Sequence, residues 1–381
     1  LNALPVYEPI LAYPAPQRIP RPVRFGIVGT NTSPPCGLAR FTAGLAGALG
    51  VEGSSVSWMA DEPLPYGSAQ ATSAPSVVAL QVLLGGVDVA ILQHQDGATG
   101  GNVADIVEGL RVPSIVVIHT IPKDPTSQQR SALESIAATA GHVVVLSEAA
   151  RQRLYLTYAV DRRKVTAIPH GATLPTIPRV KRPSRPTILT LGLLRPGKGI
   201  ERVIDAMPSL ADVPGRPRYV VAGPLDPGIP AAEAEVYRDA RIEQARRLGV
   251  GDSVVFDPRY YDGSALAELI QQASVVVLPH DSREQVSSGA LVDVFVNGRP
   301  IVATAFPHAV ELLGSGAGMV VDHDDPVALA AALRQIITQP RLAGSMAAEV
   351  RRLAPEVAWP VVAARYVELA QRLIANTRAM A

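Results

Sequence analysis

Short runs of consecutive apolar, often β-branched residues alternate along this chain with longer stretches of helical period. In the first part, residues 23–29, 56–60, 87–93, 114–119, 142–146 and 165–168 read as strands. Residues 37–49, 102–110, 127–139 and 148–155 read as helices, and a further helix is expected over 76–84. Runs such as 115–118 are apolar throughout rather than alternating, the pattern of a strand buried on both faces of a parallel sheet. A second series begins at 187, with strands over 187–191, 219–222, 253–256, 274–278, 301–304 and 318–321. Its helices fall over 233–248, 264–273, 290–296, 309–313 and 326–337, and helices over 340–354 and 359–380 finish the chain.

Between the two series, residues 175–186 are rich in proline and basic residues, the composition of an interdomain linker. Residues 1–22 are also proline-rich and read as an extended arm. The pattern therefore predicts an α/β protein of two Rossmann-like, doubly wound parallel-sheet domains. Their boundaries fall at 23–175 and 187–354, and residues 355–381 form a terminal helix. Such an architecture places a ligand cleft between the halves, at the carboxyl ends of the strands.

Composition narrows the function. At 381 residues the chain is long enough for two cores, and 48% hydrophobic with 18% charged residues argues against disorder. The 35 Lys and Arg nearly cancel the 34 Asp and Glu, which disfavours nucleic acid as a partner. The single cysteine, Cys36, excludes an internal disulfide and suits a reducing, cytoplasmic setting. No apolar run approaches the roughly 20 residues needed to span a bilayer. The arm and linker read as solvated segments more readily than as a membrane-contact surface.

Five places carry candidate chemistry. The turn from Gly29 to Gly37 opens a helix whose amides face the cleft; it reads equally as a phosphate-facing loop or an ordinary capped turn. Leu191-Gly-Leu-Leu-Arg-Pro-Gly-Lys-Gly-Ile200 lies between a strand and a helix. Its glycines free the backbone, and Arg195 and Lys198 converge where a diphosphate could sit. It lacks the spacing of a Walker loop. The segment Glu284-Gln-Val-Ser-Ser-Gly289 runs into a helix carrying Asp293, a carboxylate among apolar neighbours that is suited to grip ribose hydroxyls. His119 ends an apolar strand, and His170-Gly171 ends the last strand of the first half; a core imidazole or a structural turn explains these nearly as well. No Asp-x-Asp pair occupies a strand-end loop, and Asp324-Asp325 fall in a later turn, so no metal or other cofactor is expected.

Taken together these segments resemble the family-4 retaining glycosyltransferases of GT-B fold, most strongly over 187–337. LGLLRPGKGIERVIDA is similar to the family's glycine, basic loop and Lys-Gly helix start. SVVVLPHDSREQVSSGALVDVFVNGRPIVAT is similar to its strand, paired acidic residues and Gly-x-Pro-Val-Val-Ala-Thr, and HAVELLGSGAGMVV echoes its tail. The resemblance implies a first domain for the acceptor and a second for a nucleotide sugar. It also implies a final helix, bearing Trp359 and Tyr366, that crosses back onto the first domain. By position, Lys198 would bind the donor diphosphate together with Arg195, Gly37, Ser288 and Gly289. Asp293 would hold the ribose, and His119 would contact the donor sugar near the reacting centre. Two positions depart from the pattern. Leu193 stands where the family has a basic residue, with Arg195 two positions on. Gln285 stands at the first acidic position, with Glu284 one residue upstream; a one-residue bulge would deliver Glu284, so Glu284 and Gln285 are both assigned to the sugar.

The expectation is thus a metal-independent, retaining hexosyltransferase using a GDP- or UDP-linked donor, mannose being the preferred hexose, with His119, Glu284 and Lys198 as its catalytic groups. The alternatives are a GT-B phosphorylase or sugar-phosphate synthase and, outside enzymes, a bilobal solute-binding protein.

Overall fold

The computed structural model describes residues 22–30, 37–61, 86–95, 103–176 and 183–380. The proline-rich arm, the helix expected over 76–84, the loop 31–36 with Cys36 and the middle of the basic linker lie outside those residues.

The apolar runs assemble into two six-stranded parallel sheets. The first contains β1 (Arg24–Thr30), β2 (Ser55–Asp61), β3 (Val89–His94), β4 (Ser114–Ile118), β5 (His142–Val145) and β6 (Val165–Ala167), in the order β2-β1-β3-β4-β5-β6. Around it lie α1 (Gly37–Val51), α2 (Val103–Glu108), α3 (Ser127–Thr139) and α4 (Glu148–Thr157). The second contains β7 (Thr187–Leu191), β8 (Arg218–Ala222), β9 (Val254–Asp257), β10 (Val275–Leu278), β11 (Ile301–Thr304) and β12 (Met319–Val321), ordered β12-β11-β10-β7-β8-β9. Its helices are α5 (Ile200–Ala206), α6 (Ala231–Arg247), α7 (Gly263–Gln272), α8 (Gly289–Val296), α9 (Pro307–Leu313), α10 (Pro326–Thr338) and α11 (Pro340–Leu353). Every residue of β4, β7, β10 and β11 is buried, which is why these segments carry no polar alternation. Side chains set several helix starts: Thr126 and Gln129 form a capping box on α3, Ser147 caps α4 and Asp325 caps α10.

Strand order locates the ligand crevice. In the second sheet the chain goes from β7 to β8 and β9 on one side, then returns to place β10, β11 and β12 on the other. The reversal falls between β7 and β10, and the loops leaving these two strands flank the switch point, where open α/β sheets bind ligands. In the first sheet the corresponding reversal falls between β1 and β3.

The last helix, α12 (Trp359–Met380), leaves the second domain and docks on the first. Val362, Ala363, Tyr366, Leu369 and Ala370 are buried in one cluster with Phe25, Phe41, Leu45 and Leu49. Burial at about 1.5–3 kcal/mol for each large apolar side chain makes this helix part of the first core. Trp359 at its start fills the gap between Gly44 and Gly171, where a Cβ at either glycine would overlap the indole. Backbone bonds from Ala172 N to Val357 O (2.9 Å) and from Trp359 N to Ala172 O (3.1 Å) stitch the crossing. Among the described residues no helix is long and apolar enough to cross a membrane.

Candidate active site between the two domains

The carboxyl ends of the two sheets face each other, and contacts between their loops define the cleft. Ser147, after β5, donates its hydroxyl to Val286 O at 2.6 Å. Lys123 N, after β4, donates to Glu284 Oε2 at 3.4 Å. Arg40 of α1 pairs with Asp293 of α8, Nη2 to Oδ2, at 2.8 Å. Glu311 of α9 accepts the backbone amides of Glu148 and Ala149 at 3.0 and 2.8 Å. A carboxylate of one domain thus caps a helix of the other, where the helix dipole favours negative charge.

On the second domain's side, the loop after β7 carries the cations. Gly199 has φ +66°, and a Cβ there would overlap Pro279 O, so this left-handed turn packs directly on the chain leaving β10. Asp281 N donates to Gly197 O at 3.0 Å and locks the two loops together. Lys198 is half-buried; burial first, and the Arg195 charge second, lower its ammonium to about 8. Arg195 is exposed and lies 3.3 Å from Asp226. The structure therefore brings Arg195 and Lys198 together at the β7 side of the switch point.

The loop after β10 holds the remaining predicted groups. Glu284 turns its carboxylate toward the first domain's Lys123 amide, whereas Gln285 turns inward. Gln285 Oε1 accepts from His280 Nδ1 at 2.9 Å, and its Nε2 donates to Ser287 O at 3.0 Å. Ser288 caps α8: its hydroxyl accepts from Leu291 N at 3.3 Å, and its own amide donates to His308 Nδ1 at 2.9 Å. That bond requires a bare lone pair on the buried His308, and burial together with His170 holds its imidazole at about 3. Gly289 begins α8 under the His170 ring, where a Cβ would stand 2.9 Å from Nε2. Asp293 is 18% exposed and points across the cleft at Arg40, not into the apolar core around it.

On the first domain's side the groups are rings. His119 Nε2 is 2.7 Å from Gln93 Oε1, and its backbone amide donates to His94 O at 2.9 Å. Burial, then His170 and His94, lowers its imidazole to about 3, so it is neutral. Phe41 stands edge-on to both His119 and His170, at 4.9 and 5.1 Å between centroids. His170 Nδ1 faces Gly171 O at 2.8 Å, which leaves Nε2 toward α8. Gly37 starts α1 with open space beside its Cα.

Sequence reasoning gave no role to Arg40, His280, His308 or Glu311, although the glutamate of HAVELLGSGAGMVV was part of the family resemblance. His280 had a legible signal, since it follows an apolar strand and a proline just as His119 ends one. The other three depend on contacts between domains or loops distant in sequence. Among the described residues no group of three or more His, Cys, Asp or Glu could hold a metal ion.

Paired parallel sheets, a terminal helix crossing back and a glycine-cation loop at the switch point define the GT-B class of protein. Residues 185–339, which make up the second domain, match the family model described as glycosyl transferases group 1. A D-inositol 3-phosphate glycosyltransferase from Kineococcus radiotolerans is 24% identical over 270 residues; the match takes in 65% of this chain and 60% of that protein's length. Among solved structures, a glycosyltransferase from Rickettsia africae has a TM-score of 0.74 at 13% identity, covering 93% of this chain and 99% of that one. Anabaena HepE in complex with UDP and glucose has a TM-score of 0.70 at 16% identity, covering 92% and 99%. An Escherichia coli trehalose-6-phosphate protein bound with UDP-2-fluoro glucose also has 0.70, at 15% identity, covering 91% and 98%.

Proposed function

We propose that the chain is a retaining, metal-independent glycosyltransferase moving a hexose from a nucleoside diphosphate sugar to an acceptor hydroxyl held by the first domain. The observation that carries this reading is the position of Lys198. It lies on a left-handed glycine turn at the switch point of a group 1 glycosyl transferase domain, beside Arg195 and packed against the chain leaving β10. Cleavage of the sugar–phosphate bond leaves added negative charge on the diphosphate. Preorganised cations and the start of α8 stabilise that charge without reorganising, a role in which a metal is dispensable. Asp293 would hold the ribose, Gln285 and Glu284 the inner and outer sides of the sugar, and neutral His119 a sugar hydroxyl. Closure of the loops around the cleft would keep water from the reacting centre.

Relatives in complex with UDP support trying uridine donors first, with UDP-glucose and GDP-mannose as paired arms. A thermal-shift panel of UDP, GDP, ADP and their sugars, on the wild type and on Lys198→Ala, tests the reading. At least one nucleotide should stabilise the wild type and lose most of that effect in the variant. No shift with any of them, together with binding of a free solute, would replace the transferase by a bilobal binding protein. The anomer formed, read by NMR on the product, tests retention.

A second reading concerns the acceptor. The inositol phosphate named for one relative and the trehalose-phosphate synthase from Burkholderia xenovorans among the structural neighbours favour a phosphorylated acceptor. Donor turnover with and without inorganic phosphate, and with a sugar phosphate in place of the free sugar, separates the two.

A further inference from the structure

His280 is absent from the roles assigned so far, yet it occupies the other side of the switch point. It follows β10 after a single proline, and the residues on either side of it, Pro279 and Asp281, both touch the Gly197–Gly199 turn that carries Lys198. Thr304 Oγ1 donates to its carbonyl at 2.8 Å, and its ring stacks on Phe306 at 5.3 Å and 19°. The imidazole is thereby fixed in position and orientation.

Its proton is fixed as well. Gln285 Nε2 donates to Ser287 O, so the amide's oxygen is the atom facing His280. An amide oxygen only accepts, hence Nδ1 carries the hydrogen and Nε2 carries a bare lone pair. Nε2 is closed off from solvent and has no hydrogen-bond partner in the structure. The charged and titratable groups that act on the ring are Lys198 and Arg195 from the loop after β7 and His323 from the loop after β12. Burial first, then Lys198, keeps the free imidazole near 3. A buried lone pair without a donor leaves an acceptor unsatisfied in the empty protein, and the two cations oppose its protonation. Protonation becomes favourable if a bound anion cancels those cations and the loop after β10 shifts so that Nε2–H, closed off in the free protein, reaches it, because an adjacent opposite charge and a hydrogen bond both favour the charged imidazole.

We propose that His280 is a conditional third cation of the diphosphate site, neutral in the free protein and protonated at Nε2 when a diphosphate occupies the crevice between β7 and β10. The proton comes from bulk solvent, and no bond other than N–H forms. The proposal rests on the transferase reading and adds to it a proton uptake coupled to nucleotide binding. Such a residue would spare the empty site a third positive charge while supplying one to the leaving group.

Isothermal titration of the full chain at pH 6 with inorganic pyrophosphate, UDP and GDP, in two buffers of different ionisation enthalpy, measures protons taken up on binding. His280→Asn, which keeps a donor for Gln285, is titrated in parallel, so protons exchanged by the ligand's own phosphates cancel in the difference. The wild type should take up more protons than His280→Asn, and its affinity should weaken with rising pH more steeply. The His280 ring carbons, followed by NMR in the wild type, should move to imidazolium shifts on adding the nucleotide, which removes dependence on the variant's folding. Binding with equal proton uptake in both proteins, or with His280 shifts that stay neutral, overturns this proposal and leaves the transferase reading standing. Absence of binding by all three ligands, and by ADP and the nucleotide sugars, overturns both.

Discussion

The two faces of the cleft are built on similar sheets and carry opposite chemistry. The first domain presents His119, His170 and Phe41, rings packed edge to face around imidazoles whose protonation burial disfavours. The second presents Lys198 and Arg195 on glycine turns, with Asp226 beside them. A face of neutral rings suits hydroxyl-bearing sugars, and a face of cations over a helix start suits phosphates. The difference arises from what stands at each switch point. The second domain places a short cation-bearing turn there, whereas the described part of the first places Gln93 at the end of β3, bonded to the ring that follows β4. The same layer architecture therefore presents two different surfaces through a few strand-end residues.

The comparison can be broken or sharpened by substitution. The largest effect should come from Lys198→Ala, which removes a preorganised charge and should lower kcat by about 10²–10³-fold; a loss as small as that of a rim residue would mean the cationic face is not where charge develops. The crossing helix should rank next. Tyr366→Ala should destabilise by about 3–5 kcal/mol, read by urea unfolding. Tyr366→Phe should be neutral or slightly stabilising, because the buried hydroxyl has no hydrogen-bond partner in the structure.

Acid should act through the buried imidazoles on both sides of the cleft. His119 and His308 are held at about 3 in the folded chain, against about 6.5 when unfolded. Their folded values lie below the unfolded one, so between these limits the unfolded state binds more protons and stability falls as pH falls. Each histidine should cost about 2 kcal/mol by pH 5, and the full contribution is present above pH 6.5. Melting temperature followed from pH 7.5 to 4.5 should fall, and less so in His119→Asn. Gly171→Ala, which drives a methyl into Trp359, should cost about 1–3 kcal/mol by overpacking. The smallest effect belongs to Arg40→Ala: the Arg40 side chain is 38% exposed, and its pair with Asp293 should contribute under about 1 kcal/mol. A larger loss of stability there would show that this ion pair, rather than the ring and backbone contacts, holds the two faces together.

Both sheets, their parallel character and nearly every described helix could be read from the sequence, because strands buried on both faces show as uninterrupted apolar runs between stretches of helical period. The cationic turn was legible too, since glycines and a lysine between a strand and a helix are local features. The positions of Glu284 and Gln285 were not. Spacing set them one residue apart on a candidate bulge, while the fold turned one to Lys123 across the cleft and the other inward to His280. His280 itself could have been flagged by the strand-end argument applied to His119.

What the chain's order of residues determined by itself was therefore local: where backbone extends, where it coils and where it turns on glycine. Tertiary structure alone decided which strand ends meet. Arg40 with Asp293 and Glu311 with the start of α4 are pairs more than 150 residues apart in sequence. It also decided which imidazoles are buried and so kept neutral. Burial and charge proximity are properties of the packed whole, and no short stretch of sequence carries them.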